Sequence, residues 1–175
     1  DVLVIGGGAS GTGVALGAAL RGLSVALIEQ EDFAVSASGA STKLVHGGVR
    51  YLEKAFRELD WGQFALVREA LHERKRMLRN APHLAHPLGT ILPVSSWFSL
   101  LYYRIGLWLY DVTAGSDELP DSKAFSKQET LRILPNLNPE GVAGGILYYD
   151  GQFDDARYAV AIARTAARRS PSPAR

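Results

Sequence analysis

Gly6, Gly8 and Gly11 stand at the spacing of a phosphate-binding turn, between the apolar run Val2-Leu3-Val4-Ile5 and an alanine-rich stretch with helical character. A second apolar run, Val25-Ala26-Leu27-Ile28, ends at Glu29. The order is strand, glycine turn, helix, strand, acid, and each part has a task in holding an ADP-dinucleotide. Gly6 lets the turn close, Gly8 lets a pyrophosphate approach the backbone, and Gly11 lets the helix lie close on the strand. The helix start offers N–H donors and the positive end of its dipole to the phosphates. Glu29 is placed to accept hydrogen bonds from ribose hydroxyls, a role that an ordinary glycine-rich loop would not require. Thr12 follows Gly11 where a nucleoside triphosphatase loop carries lysine, which argues against ATP or GTP hydrolysis.

The second segment dense in chemistry runs from Ser41 to Leu52. Ser41 and Thr42 bring hydroxyls, Lys43 a cation, and His46, Arg50 and Tyr51 a proton-transferring ring beside a guanidinium fork and a phenol. Arginine grips a phosphate or carboxylate with two parallel hydrogen bonds, which suits an anionic small substrate. A lone histidine has an equally simple structural reading. His46, His72, His83 and His86 form no metal-binding spacing, and cysteine is absent, so no metal centre and no disulfide framework is expected.

These residues need elements to position them. Residues 1–29 read as a βαβ start, with Gly22 closing its helix, and 30–43 as a Ser/Ala/Gly loop that wraps the cofactor. A helix is expected over 60–79, capped by Asp60, with Phe64, Val67, Leu71 and Leu78 on one face and the run Arg74-Lys75-Arg76 on a solvated one. Leu88 to Val94 and Val142 to Tyr149 read as strands of a second sheet, the latter ended by Asp150-Gly151. A short helix is expected near Lys127 to Leu134, and a last one from Asp154 or Asp155, with the acids capping and salt-bridging.

The aromatic stretch from Val94 to Tyr110 is too interrupted to span a bilayer and admits two readings, a packed helix or a membrane-surface segment. The segment 164–175 carries arginines without acids and ends in Ser170-Pro171-Ser172-Pro173, so a disordered basic tail is expected. Across 175 residues, 19 basic and 18 acidic side chains leave a net charge of +1, and no nucleic-acid partner is implied. The start at Asp1, inside the first strand and without methionine, suggests that a preceding segment has been trimmed. The fold class is α/β, a Rossmann-like FAD/NAD(P)-binding fold that is incomplete, with the start of a second α+β substrate domain. The boundaries expected are 1–80 for the nucleotide domain, 81–163 for the substrate or cap part with its return, and 164–175 for the tail.

Four stretches in order, IGGGASGTGVAL, STKLVHGGVRYL, VREALHERKRMLRNAPHL and YYDGQFDDAR, resemble the N-terminal portion of the FAD-dependent, respiratory glycerol-3-phosphate dehydrogenases. The resemblance implies oxidation of sn-glycerol 3-phosphate to dihydroxyacetone phosphate by hydride transfer to FAD, with electrons passed to quinone. It also implies peripheral attachment to the bacterial cytoplasmic membrane or the mitochondrial inner membrane, and a homo-oligomeric parent. On this resemblance Gly6, Gly8, Gly11 and Glu29 hold the adenosine half of FAD. Ser41, Thr42 and Lys43 lie along its pyrophosphate and flavin side, while His46, Arg50 and Tyr51 sit near the flavin. Arg50 would bind the substrate phosphate and His46 would accept the hydroxyl proton. Gly17 departs from the family's pattern, which has Asp there. The competing readings are another FAD-dependent oxidase of the same superfamily and a non-catalytic, truncated nucleotide-binding fragment.

Overall fold

Branched apolar residues favour extended backbone, and a glycine cluster stops it; Val2–Ile5 followed by Gly6 therefore makes a short strand and a turn. The computed structural model describes residues 1–46, 60–114 and 119–171. In chain order the elements are β1 (Val2–Ile5), α1 (Ala9–Ala19), β2 (Val25–Ile28), β3 (Leu44–Val45), α2 (Trp61–Asn80) and β4 (Ala85–Val94). They continue with α3 (Trp97–Ala114), β5 (Lys123–Ser126), α4 (Lys127–Ile133), a 3₁₀ turn at Pro139–Gly141, β6 (Gly144–Phe153) and α5 (Asp155–Arg169). They fall into two units, Asp1–Leu44 with the chain from Phe153 onward, and Val45–Gln152.

In the first unit β1 and β2 pair in parallel, Val2 opposite Val25 and Ile5 opposite Ile28. Gly22, at φ +79°, turns the chain out of α1 as the sequence suggested. Val4, Ala15 and Ala166 form the buried centre, flanked by Val2, Leu16, Val25 and Leu27. Alanines at the helix contacts let α1 and α5 come close. At Gly17, where the resemblance expects Asp, the guanidinium of Arg21 donates to the backbone carbonyl at 2.6 Å. The other face of the strands leaves Leu3, Ile5 and Ile28 exposed. Helix α5 continues through Arg169, past the change in composition at Arg164. Arg168 and Arg169 occupy its last turn, where the helix dipole favours cations, and the Ser170 hydroxyl accepts from Val25 N at 3.2 Å.

In the second unit Asp60 caps α2, accepting from Gly62 N at 2.9 Å and Gln63 N at 3.2 Å. The chain leaves the first unit at Leu44 rather than after residue 80 because α2 packs on β4 and α3. The second sheet has the order β3-β6-β4, and β5 also pairs with β6, antiparallel, with Ser126 opposite Gly144. Strand β5 was not anticipated. A capping box between Ser126 and Glu129 starts α4, and Thr130, fully buried, donates to Ser126 O at 2.8 Å.

Two expectations are corrected here. Strand β6 does not end at Asp150-Gly151 but runs through it to Phe153, and Gly151 lies beside Val45 of the neighbouring strand. Arg74 is not on the solvated face of its helix. It shares the spacing of Val67, Leu71 and Leu78, is 4% exposed, and donates to Asp150 Oδ1 at 3.0 Å. Burial raises the Asp150 carboxyl above its ordinary range, against the opposing pull of Arg74 and His46. On α3, Trp97 and Phe98 are about four-fifths exposed. Among the described residues no helix is long and apolar enough to cross a membrane, and no cluster of histidine or acid has the makings of a metal site.

Candidate dinucleotide site and its anchoring loop

The glycine turn is built by two constraints that only glycine meets. Gly6 has φ +105°, and a Cβ on Gly11 would lie 1.9 Å from Gly6 O, so α1 starts pressed against the turn itself. Gly6 N donates to Ile28 O at 2.8 Å, which locks the turn to the end of β2. Glu29 then reaches back over it. Its Oε2 accepts from Gly7 N at 2.5 Å, and its Oε1 accepts from Gln30 N at 2.8 Å and Glu31 N at 3.1 Å. These backbone donors, Gly7 first, hold the Glu29 carboxyl below its ordinary range. An ionised carboxylate has about four acceptor positions. Three are taken by the backbone, which leaves about one, on Oε2, for a ribose hydroxyl.

These groups line a cleft of about 610 Å³ with Gly6, Gly8, Glu29, Glu31, Asp32 and Ser38 in its walls. The loop over 30–43 folds back on the glycine turn: Ala34 N donates to Gly7 O at 3.2 Å, and the Ser38 hydroxyl accepts from Ala9 N at 2.9 Å. Ser38 was not singled out from the sequence, although it lies in the serine-rich stretch read as a cofactor wrap. An adenosine diphosphate moiety fits the residues present, since the hydroxyl acceptor Glu29, the turn glycines Gly6 and Gly8, and with Gly8 the N-cap of α1, all line the cleft.

Farther along the loop, Ser41 and Lys43 turn to a carboxylate contributed by α5. Asp155 Oδ2 accepts from Ser41 N at 3.0 Å and from Ser41 Oγ at 2.8 Å, while Oδ1 accepts from Lys43 Nζ and from its own neighbour, Ala156 N, at 2.8 Å. The Asp155 side chain is 1% exposed, and Lys43 is half-exposed. The Lys43 ammonium and the Ser41 hydroxyl hold the Asp155 carboxyl far below the usual carboxylate range. Lys43 carries a left-handed φ of 59°, and its carbonyl accepts from Phe153 N at 3.0 Å. Asp154, not Asp155, caps the helix, accepting from Arg157 N at 3.2 Å. Asp155 thus has a partner set that spacing alone did not disclose.

His46 is exposed and lies in the second unit. Arg50 and Tyr51 lie outside the described residues.

A family model described as FAD dependent oxidoreductase matches residues 1–170. The chain belongs to that family of FAD-dependent oxidoreductases. Within the family it is similar to the mitochondrial glycerol-3-phosphate dehydrogenase of Homo sapiens, at 54% identity over 168 residues, covering 96% of this chain and 23% of the relative. The corresponding protein of Arabidopsis thaliana is 51% identical over 171 residues, covering 95% and 27%. The chain therefore spans about a quarter of the length of the curated relatives it matches. Among solved structures, the glycerol-3-phosphate dehydrogenase of Bacillus halodurans complexed with FAD superposes with a TM-score of 0.65 at 30% identity, covering 97% of this chain and 25% of that one. The FAD-bound L-alpha-glycerophosphate oxidase of Mycoplasma pneumoniae gives a TM-score of 0.69 at 19% identity, covering 97% and 42%, and shares the fold. FAD is the family's cofactor, and this flavoprotein segment has the Rossmann-like start that the glycine spacing announced.

The depressed carboxyl of Asp155 has a measurable sign. Its ionised form is favoured in the fold, so its stabilisation is present above the ordinary carboxylate range and drains away as pH falls below about 4 toward the folded value. The thermal midpoint of the chain should therefore decline on acidification, and Asp155→Asn should flatten that decline. Glu29 and Glu129, shifted the same way, leave a residual slope. Equal slopes in the two proteins would show that Asp155 is not held as an ion.

Proposed function

We propose that this segment holds FAD in a glycerol-3-phosphate dehydrogenase, which oxidises sn-glycerol 3-phosphate to dihydroxyacetone phosphate and passes the electrons to quinone. The observation that carries the reading is the Glu29 carboxylate fixed over the glycine turn, with one acceptor position left for a ribose. The identity to named glycerol-3-phosphate dehydrogenases supports the substrate.

FAD, when bound, supplies the acceptor for the hydride on the substrate carbon. The chain's own residues bind and orient. Gly6, Gly8, Gly11 and Glu29 hold the adenosine half, and Ser41, Thr42 and Lys43 border the remainder of the cofactor. The Arg50 guanidinium takes the substrate phosphate through paired hydrogen bonds, with Tyr51 beside it. A ring nitrogen of His46 takes the proton of the substrate hydroxyl, so that the carbon can release its hydride. The mitochondrial relatives support a mitochondrial location, and the exposed Trp97 and Phe98 of α3 support peripheral contact with the inner membrane.

Purified chain should retain FAD through gel filtration, seen as flavin absorbance under the protein peak, and Gly8→Val should abolish it. A Cβ on Gly8 already comes within 3.0 Å of Ser38 Oγ, and the valine methyls would fill the approach to the turn. Unchanged retention by the variant would place the flavin elsewhere. In the full-length enzyme, His46→Asn should slow flavin reduction by glycerol 3-phosphate at least about 10²-fold, and a near-normal rate would remove His46 as the base. The full-length enzyme should also float with anionic liposomes, with Trp97→Ser/Phe98→Ser weakening the association; a protein that stays in the soluble fraction would count against membrane contact.

A further inference from the structure

We infer that Asp155 is a positioning residue for the cofactor loop, which sorts the loop's three polar side chains by holding Ser41 and Lys43 on its carboxylate and leaving the Thr42 hydroxyl as the one presented to the cofactor. The inference rests on the reading that residues 41–43 border FAD, and it assigns the work within that border.

The geometry is specific. The Ser41 hydroxyl also accepts from Lys43 N at 2.9 Å, a local turn that brings both side chains to one carboxylate. Ser41 and Lys43 both reach Asp155, and Thr42 between them is exposed and makes no hydrogen bond among the described residues. The carboxylate that takes them is 1% exposed and belongs to the first turn of α5, a helix packed on α1 through Ala166 and Ala15. Two further contacts hold the loop. Phe153 N donates to Lys43 O at 3.0 Å, and within the loop Gly39 packs on Ala34 O so closely that a Cβ would lie 2.2 Å from it. Lys43 adopts a left-handed φ of 59°, a backbone state that a lysine does not favour and that the partner set holds in place. An ammonium already committed to a buried carboxylate is a poor partner for a cofactor phosphate, because leaving would strand Asp155 without its cation.

The two assignments for this loop give opposite results. If Lys43 itself gripped the cofactor, Asp155→Asn would free the ammonium and FAD binding would hold or tighten. If Asp155 positions the loop, Asp155→Asn weakens FAD binding about tenfold, the equivalent of one lost hydrogen bond to an oriented donor. Thr42→Val should weaken it to a similar extent, about tenfold, while leaving the thermal midpoint of the FAD-free chain unchanged, since Thr42 makes no hydrogen bond among the described residues.

The deciding measurement is the coupling between the two positions, read by FAD titration of the full chain, its single variants and the double variant. In the Asp155→Asn background the Thr42→Val effect should shrink to less than about threefold, because a loop released from α5 no longer aims the hydroxyl. A stabilising contact without a positioning role would leave the Thr42→Val effect equal in both backgrounds, and that result overturns the inference. Unchanged or tighter FAD binding in Asp155→Asn also overturns it. Should Asp155→Asn fail to fold, Ser41→Ala and Lys43→Met each remove one partner of the carboxylate and replace it in the cycle, with the same expected shrinkage and the same contrary outcome. Failure of the unsubstituted chain to take up FAD overturns the function proposed above together with this inference, whereas normal uptake with uncoupled variants overturns the inference alone.

Discussion

One contact without side chains governs the first unit: the Cα of Gly11 against the carbonyl of Gly6, so close that any Cβ would overlap the oxygen. It fixes where α1 begins relative to β1, and so where the helix start points. With that placement set, Ile28 O receives Gly6 N, β2 ends beside the turn, and Glu29 is delivered over Gly7. The acid and the glycines are one device. Glu29 needs backbone N–H groups to keep it aimed, and the turn needs an acceptor for Gly7 N, which would otherwise be a stranded donor.

The loop after β2 carries this order outward. Ser38 meets the start of α1, and Ser41 and Lys43 meet Asp155 on α5. Because α5 packs on α1, the same helix that begins at the turn indirectly sets the position of the loop's far end. A surface segment rich in small polar residues would ordinarily lose too much entropy to hold one conformation. Here it is tied at two ends to rigid elements, and the left-handed backbone of Lys43 is tolerated between them. Arg74 and Asp150 do a comparable job in the second unit, where a charge pair takes a place along a stripe that is otherwise apolar.

Local signals made much of this legible in the residues themselves. The glycine spacing, the alternation of apolar runs with Glu29 at the end, and Asp60 ahead of a 3.6-residue stripe all act within one element or between neighbours. Their outcome depends little on the rest of the chain. What stayed hidden depends on distant partners. Arg74 has the charge of a surface residue and the position of a core one, and only the carboxylate of Asp150 on β6 decides between them. Asp150-Gly151 carries turn chemistry, yet it is held extended because a strand pairs beside it. Asp155 sits next to the true cap, Asp154, and its partners come from the opposite end of the chain. Strand β5 is short and weakly apolar, and it exists through its pairing to β6. Arg50 and Tyr51, which the resemblance puts with His46 near the flavin, lie outside the described residues.

The first unit is discontinuous, and this has a kinetic side. Its centre joins Val4 and Ala15 to Ala166, and its sheet is tied by a bond between Val25 and Ser170, 145 residues apart. Contacts of such long range are slow to form because a large loop must close before any of them is rewarded. The glycine turn must wait for the whole intervening unit before α5 can cover α1. The placement of α1 against α5 therefore depends on closing the long loop over residues 45–152, which folds as a unit of its own.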